Sequence, residues 1–239
     1  RIVHTVIKSN RRYAYEEVQE ILERGTRNEE GGEKEYSENL KTLDRLAKKL
    51  RERRFKGGAV KFDREELHFD IDKDGKPIRA YFKKSNDATQ LIEEFMLLAN
   101  KFVAESVEMV KKQRSKVNSQ KAKTFVYRIH DQPDPTKLET LREFVVKFGY
   151  KLKTAGTKGA ISKSLNSLMD GCQGKKEQKL IETVALRAMM KAKYSTHNIG
   201  HYGLAFDYYT HFTSPIRRYP DLMVHRLLTK YIDEDGRSA

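Results

Sequence analysis

Apolar positions along the chain fall into helical stripes separated by short alternating runs. From Tyr15 to Arg24, Val18, Ile21 and Leu22 share one helical face, and Gly25 stands where a C-terminal cap belongs. Residues Thr26 to Tyr36 hold two glycines and four glutamates with almost no apolar content, which predicts a loop. Ser37 is then placed to cap a second helix with the stripe Leu40, Leu43, Leu46, Ala47 and Leu50, ended by Gly57-Gly58. The longest periodic run extends from Asp87 to about Arg114 through Leu91, Phe95, Phe102, Val103, Val107 and Val110. Further helices are expected from Leu138 to Phe148, Ile161 to Met169 and Glu177 to Met190, with a last one after Pro220. Strand patterns cover Arg1–Ile7, Ala59–Phe62, Leu67–Ile71, Ile78–Tyr81 and Phe125–Ile129, with Asp74-Gly75 as a hairpin turn. The fold class expected is α+β, with helices packed around a mixed or antiparallel sheet.

Composition narrows the function classes. Only 38% of the 239 residues are hydrophobic, and no apolar run approaches the roughly 20 residues of a membrane span, so no membrane partner is expected. Forty-eight Lys and Arg against 34 Asp and Glu leave a net charge of +14, which favours polyanionic partners, nucleic acid first. The single cysteine, Cys172, excludes an intramolecular disulfide and a Cys-based zinc site, in keeping with a reducing, cytoplasmic setting. The chain opens on Arg1 rather than methionine and reads as a piece of something longer.

One segment lacks periodicity. Tyr194 to Tyr219 holds five tyrosines, three histidines, two glycines and the paired Arg217-Arg218, the composition of a loop that points several groups at one ligand. In His211-Phe212-Thr213-Ser214-Pro215-Ile216-Arg217-Arg218-Tyr219-Pro220-Asp221, a hydroxyl and a proline precede two arginines at a loop-to-helix junction. A guanidinium fixed there suits a phosphodiester, and the competing reading is that Arg217 simply pairs with Asp221. His197 and His201 are spaced as half a zinc site, but no third ligand accompanies them. Asp70, Asp72 and Asp74 alternate toward the hairpin turn, where turn-making and solvation explain them. The basic runs Lys111–Lys123 and Lys147–Lys163 read as solvated faces.

The stretches Asn198-Ile199-Gly200-His201-Tyr202-Gly203-Leu204-Ala205 and Tyr208 to Leu222, followed by His225-Arg226, closely resemble the signature of the ribonuclease II/ribonuclease R family. Further matches are Val6-Ile7-Lys8-Ser9 with Tyr13 to Val18, Gly57-Gly58, Leu91 to Asn100 and Tyr127 to Pro133, so the resemblance covers essentially the whole chain and lies nearest the ribonuclease R branch. It implies that residues 1–239 are the C-terminal two-thirds of one catalytic domain of the RNB type, without the metal-binding part, cold-shock domains or S1 domain. It also implies a processive, Mg²⁺-dependent, hydrolytic 3′-to-5′ exoribonuclease acting on single-stranded RNA with a free 3′ end and releasing nucleoside 5′-monophosphates. The family's Mg²⁺ ligands are a cluster of aspartates upstream of the Ile-Lys-Ser strand, so none is expected in this chain and the chain alone is expected to be inactive.

Carried over residue by residue, Arg217 matches the arginine that stabilises charge at the scissile phosphate, a role suited to a cation fixed where negative charge develops. Arg218 is the neighbouring backup, a phosphate or a structural contact. Tyr15 and Glu93 match the tyrosine and glutamate that read the terminal ribose, whose 2′-hydroxyl separates RNA from DNA. Phe62 falls where the family stacks an aromatic on the last bases. Tyr208 and Tyr209 either line the RNA channel or pack beneath the arginine loop, with Tyr209 taken as an RNA contact. Partners expected are single-stranded RNA and, beyond it, the ribosome or RNA-decay factors. Two other readings stand beside the enzyme: a catalytically inert RNA-binding relative, and a basic scaffold that binds RNA or ribosomes without regard to a 3′ end.

Overall fold

The computed structural model describes residues 2–24, 32–61, 65–117 and 124–234. It contains helices and two separate two-stranded antiparallel sheets, the α+β class expected. The chain divides into two compact units, one formed by Ile7–Glu52 and Phe62–Phe95, the other by Arg1–Val6, Arg53–Lys61 and Met96–Ala239.

In the first unit, α1 (Tyr15–Arg24) and most of α2 (Gly32–Lys56) precede a hairpin of β1 (Glu65–Ile71) and β2 (Pro77–Lys84), after which α3 (Asp87–Val117) begins. Gln19 accepts a hydrogen bond from the Ala88 backbone N–H at 3.0 Å, so α1 supplies one of the acceptors that the first turn of α3 lacks. Lys48 bridges Asp44 and Asp87, both at 2.8 Å, and Arg51 lies 3.5 Å from the buried Glu94. In the hairpin, Asp72 accepts from the backbone N–H groups of Asp74 and Lys76, the turn role expected of it. Strand alternation sorts the hairpin by polarity. His68 stacks on Tyr81 on one face, while Leu67 pairs with Phe82 and Phe69 with Ala80 on the other. Leu67, Phe69, Ile71, Ile78 and Phe82 are all exposed, Ile78 by 70%.

The second unit carries the larger core. Val103, Ala104 and Val107 of α3 pack with Phe125, with Tyr127 and Ile129 of β3 (Tyr127–Ile129) and with Val224 and Leu228 of α7 (Tyr219–Glu234). Strand β4 (Lys193–Ser195) pairs with β3, Arg128 opposite Tyr194. Beside them, α4 (Pro135–Val146), α5 (Lys158–Cys172) and α6 (Gln178–Ala188) bury Leu141, Val145, Leu165, Cys172, Ile181 and Ala185. Asp134 caps α4, accepting from the N–H groups of Thr136 and Lys137 with Pro135 at the first position, and Thr157 caps α5.

Several local expectations are corrected. Arg1–Ile7 forms no strand: residues 2–9 have no ladder partner among the described residues, and Val6 and Ile7 are exposed. Ser37 is not a cap, because α2 already runs from Gly32 and buries Ser37 inside it. Of the proposed α2 stripe only Ala47 is fully buried, while Leu43 and Leu46 are exposed. Ala59 and Val60 are buried without a strand; Val60 N–H donates to Gly203 O and Ala59 O accepts from Asn166. Gly171 and Cys172 belong to α5 rather than to a flexible link. Phe62 and the Lys121–Lys123 end of the first basic run lie outside the described residues, whereas Lys147, Lys151, Lys153, Lys158 and Lys163 are exposed as expected.

Candidate functional site

The irregular segment after β4 is held by a small number of buried polar side chains. Asn100, on α3 and 3% exposed, lies one helical turn before Val103 and Ala104 on the buried stripe. Its Oδ1 accepts from the backbone N–H groups of Phe212 at 2.9 Å and Thr213 at 3.2 Å, and its Nδ2 donates to the Tyr209 hydroxyl at 3.1 Å. Asp221, in the first turn of α7 and fully buried, accepts from the Ser214 N–H and from the Arg218 guanidinium, both at 2.8 Å. His225, one turn further along α7, bonds the Phe212 carbonyl through Nε2 at 2.9 Å and stacks on the Phe212 ring at 4.2 Å. The Ser214 carbonyl then accepts from the N–H groups of both Arg217 and Arg218, closing the turn.

These anchors divide the labour of the two arginines. The ion pair considered for Arg217 belongs to Arg218, which Asp221 neutralises. Arg217 is exposed at the tip beside the fully exposed Ile216, and its guanidinium has no carboxylate partner among the described residues. The resulting field is felt at His211. Burial first, then the positive charges of Arg218, Arg128 and Arg217 against the opposing Asp221, lower its pKa to about 4. His211 is therefore neutral at pH 7, and its Nδ1 shares a hydrogen bond of 2.8 Å with the Tyr194 hydroxyl. Arg128 lies over the Tyr194 ring at 4.7 Å.

Tyr209, expected as an RNA contact, lies inside the loop's packing. It is 4% exposed, bonded to Asn100, and in edge contact with His201 and His211, so it packs beneath the loop. Tyr15 and Glu93 lie in the other unit. Tyr15 is the first residue of α1 and 46% exposed; Glu93 is exposed on α3 next to the buried Glu94.

His130 and His201 are structural. His130 Nδ1 accepts from Gly203 N–H at 3.0 Å and its Nε2 bonds the Met190 carbonyl at 2.7 Å, which fixes one neutral tautomer. Its ring occupies the space a Cβ at Gly203 would need, 2.9 Å away, which explains the glycine. His201 accepts from Leu204 N–H, and burial, with His130 and Arg128 adding to it, lowers its pKa to about 3. Among the described residues no three His, Cys, Asp or Glu side chains come together to hold a metal ion.

A pH dependence follows. Both His201 and His211 stay neutral in the fold down to acid pH but take up protons near 6.5 once unfolded. Their contribution to stability is complete above pH 6.5 and is lost as pH falls toward 4, by up to about 1.4 kcal/mol per pH unit for each histidine. Urea midpoints measured from pH 7.5 to 4.5 should fall, and His211→Gln should flatten the decline; an unchanged slope in that variant would refute the assignment.

The RNB domain family matches residues 1–234. The chain belongs to the RNB family. Ribonuclease R of Aquifex aeolicus is 35% identical over 96% of the chain, and that of Thermotoga maritima 38% identical over 97%. The chain spans 30% and 31% of the length of these relatives. Mycoplasma genitalium RNase R in complex with ribose-methylated single-stranded RNA superposes with a TM-score of 0.77 at 24% identity, over 94% of this chain and 33% of the other. Yeast Ssd1, described as a pseudonuclease, shares the fold at a TM-score of 0.60 and 22% identity over 92% of this chain and 25% of the other. The family is one of exoribonucleases, but the fold also serves a protein without that chemistry, so activity has to be argued from the site.

Three residues that matter here carry no functional label in the sequence reading. Asn100 had a usable signal, since a lone amide on the stripe of Val103, Ala104 and Val107 needs a buried partner. Asp221 stands in the sequence only as the competing partner of Arg217, whereas in the fold it accepts from Arg218. His130 gives no local sign, because both its partners are distant in the chain.

Proposed function

We propose that this chain supplies the arginine-bearing part of a hydrolytic 3′-to-5′ exoribonuclease that removes nucleoside 5′-monophosphates processively from single-stranded RNA. The observation that carries this reading is the Arg217 guanidinium, without a carboxylate partner among the described residues, on a loop tied down by Asn100, Asp221 and His225. A cation whose backbone is held in place stabilises charge developing on a phosphate with less reorganisation than one on a free loop. Arg218, paired with Asp221, shapes the turn. Tyr15 and Glu93, both exposed and chemically able to bond a ribose hydroxyl, are the proposed readers of the RNA terminus, and Phe62 the proposed stacking residue.

The family resemblance implies Mg²⁺, which activates water when bound. The described residues do not fit it, since no set of three ligand-type side chains converges, so the chain's own contribution is electrostatic and positional. By the same argument the 239 residues alone are expected to bind RNA without shortening it.

The test is a 5′-labelled single-stranded RNA incubated with Mg²⁺ and the full-length natural polypeptide that carries this chain. Progressive shortening, slowed about 10²-fold by Arg217→Ala while RNA binding persists, is the expected result. Binding without shortening in a metal-replete preparation would favour an inert RNA-binding relative. Shortening indifferent to Arg217→Ala would remove the arginine from the chemistry.

A further inference from the structure

Arg128, in the middle of β3, is a half-buried arginine without a carboxylate partner among the described residues. Its backbone is fixed on both sides. The strand pairs it with Tyr194 of β4, and its N–H donates to the Tyr209 carbonyl at 2.9 Å, which ties β3 to the segment leading into the arginine loop. Its guanidinium lies over the Tyr194 ring at 4.7 Å. The Tyr194 hydroxyl in turn shares its 2.8 Å hydrogen bond with His211, at the head of the motif that carries Arg217. Contact with an aromatic face draws on the cation's charge and leaves its N–H groups free for an acceptor. None of those side-chain N–H groups has an acceptor among the described residues.

Arginines drawn into a fold are ordinarily paired with a carboxylate. Around Arg128 the balance runs the other way. The charges that bear most on His211 are three guanidinia, those of Arg218, Arg128 and Arg217, against the one carboxylate of Asp221, and Asp221 is taken up by Arg218. His201, on which Arg128 also acts, is neutral like His211, so neither histidine changes the excess. Two guanidinia, Arg128 and Arg217, are therefore left near one histidine without a counter-charge. Like charges gathered in this way repel one another in the free protein, and an anion lying across them relieves the repulsion. A small anion relieves one of the two. A single-stranded nucleic acid relieves both, because it carries a phosphate on every nucleotide along a backbone that follows a line of cations.

The geometry points to Arg128 as a second RNA-phosphate contact: Arg217 meets the scissile phosphodiester, and Arg128, held against the Tyr194 ring, meets a neighbouring phosphate that does not react. The assignment rests on the RNA-directed reading proposed above and extends it by separating a cation that binds from the cation that serves the chemistry.

Equilibrium binding of a single-stranded oligouridylate to the full-length natural polypeptide, measured without Mg²⁺ over a range of salt concentrations, tests it. Removing one phosphate contact on a single strand lowers the steepness of log affinity against log salt by about 0.7. Arg128→Gln is expected to show that drop and to bind about tenfold more weakly at low salt. Its melting temperature in the absence of RNA should equal or exceed that of the unsubstituted protein, because a repelling charge has gone. Arg128→Lys should keep the original steepness. Tyr194→Leu, which takes away the ring but not the charge, should weaken binding severalfold. With Mg²⁺ present, Arg128→Gln should act chiefly by raising KM for RNA, whereas Arg217→Ala lowers kcat. An unchanged steepness in Arg128→Gln would overturn the proposal, and so would weaker binding with a lower melting temperature and the steepness intact, the pattern of an arginine that only props Tyr194. Shortening of RNA by the unsubstituted protein together with an unchanged steepness in Arg128→Gln would remove this inference alone. The drop in steepness without any shortening would support Arg128 as a phosphate contact and remove only the exoribonuclease reading.

Discussion

Asp221→Ala is expected to lower the stability of the chain by about 3 kcal/mol, at the lower end of what breaking a buried ion pair costs. The lower end applies because the Arg218 side chain is 21% exposed and can turn partly to water, whereas Asp221 is fully buried. Two losses combine: the Ser214 N–H has no acceptor, and the Arg218 guanidinium loses its counter-charge inside the loop. Asp221→Asn keeps an oxygen for Ser214 but not the charge, and should fall between. The combined Arg218→Met and Asp221→Leu variant should recover much of the loss, because removing both partners of a buried pair leaves nothing uncompensated. The chain has no tryptophan, so urea unfolding is best followed by circular dichroism or tyrosine emission. A loss below about 0.5 kcal/mol for Asp221→Ala would show that the pair does not hold the loop.

Asn100→Leu has a comparable thermodynamic effect and a larger catalytic one. Leucine fills the same space on α3 but leaves the Phe212 and Thr213 N–H groups without their acceptor and the Tyr209 hydroxyl without its donor. At about 1–3 kcal/mol for each group left unsatisfied, with some relief from local movement, the expected loss is about 3 kcal/mol. Asn100 touches no substrate in this account; it positions Arg217 through the backbone. Turnover of the full-length protein should therefore fall about 10²-fold, as for Arg217→Ala, with the binding of RNA much less affected. Leu141→Ala, a comparably destabilising change in the core of α4, should leave turnover near normal when both variants are assayed well below their melting temperatures. Equal activity loss in the two variants would reduce Asn100 to a fold-stabilising residue.

The helices were legible where an apolar stripe and a terminator coincide. Asp134 and Gly149 bracket α4, and the stripe of α3 is long enough to average out its exposed members Ile92, Leu98 and Phe102. Legibility failed where burial and alternation parted company. Ala59 and Val60 are apolar because they are buried under α5 and the Gly203 turn, and their backbone bonds go to Asn166 and Gly203 rather than to a neighbouring strand. Arg1–Ile7 has β-branched residues but no partner, and a strand is defined by its partner. The start of α2 was missed because Ser37 and its acidic neighbours look like an N-terminus in isolation, while helix continuation is decided by the unit that buries Ser37.

At the candidate site, the resemblance brought Arg217 into view, but the division of roles between the two arginines is a matter of direction that spacing does not encode. Arg217 lies in the turn ahead of α7 and Arg218 directly before its first residue, and of the two it is Arg218 that reaches Asp221. Tyr208 and Tyr209 likewise differ by which side of an irregular backbone they leave, Tyr209 being the buried one.

The apolar face of the β1–β2 hairpin has a practical consequence for anyone handling the chain. A strip of Leu67, Phe69, Ile71, Ile78 and Phe82 open to water attracts other copies, and at low ionic strength the net charge of +14 keeps those copies apart. Salt shortens the range of that repulsion while leaving the apolar attraction intact. The high-salt wash that strips co-purifying nucleic acid from a basic protein is thus the step at which this chain is most prone to self-associate, and Phe69→Lys or Ile78→Glu on that strip is the change that should keep it dispersed.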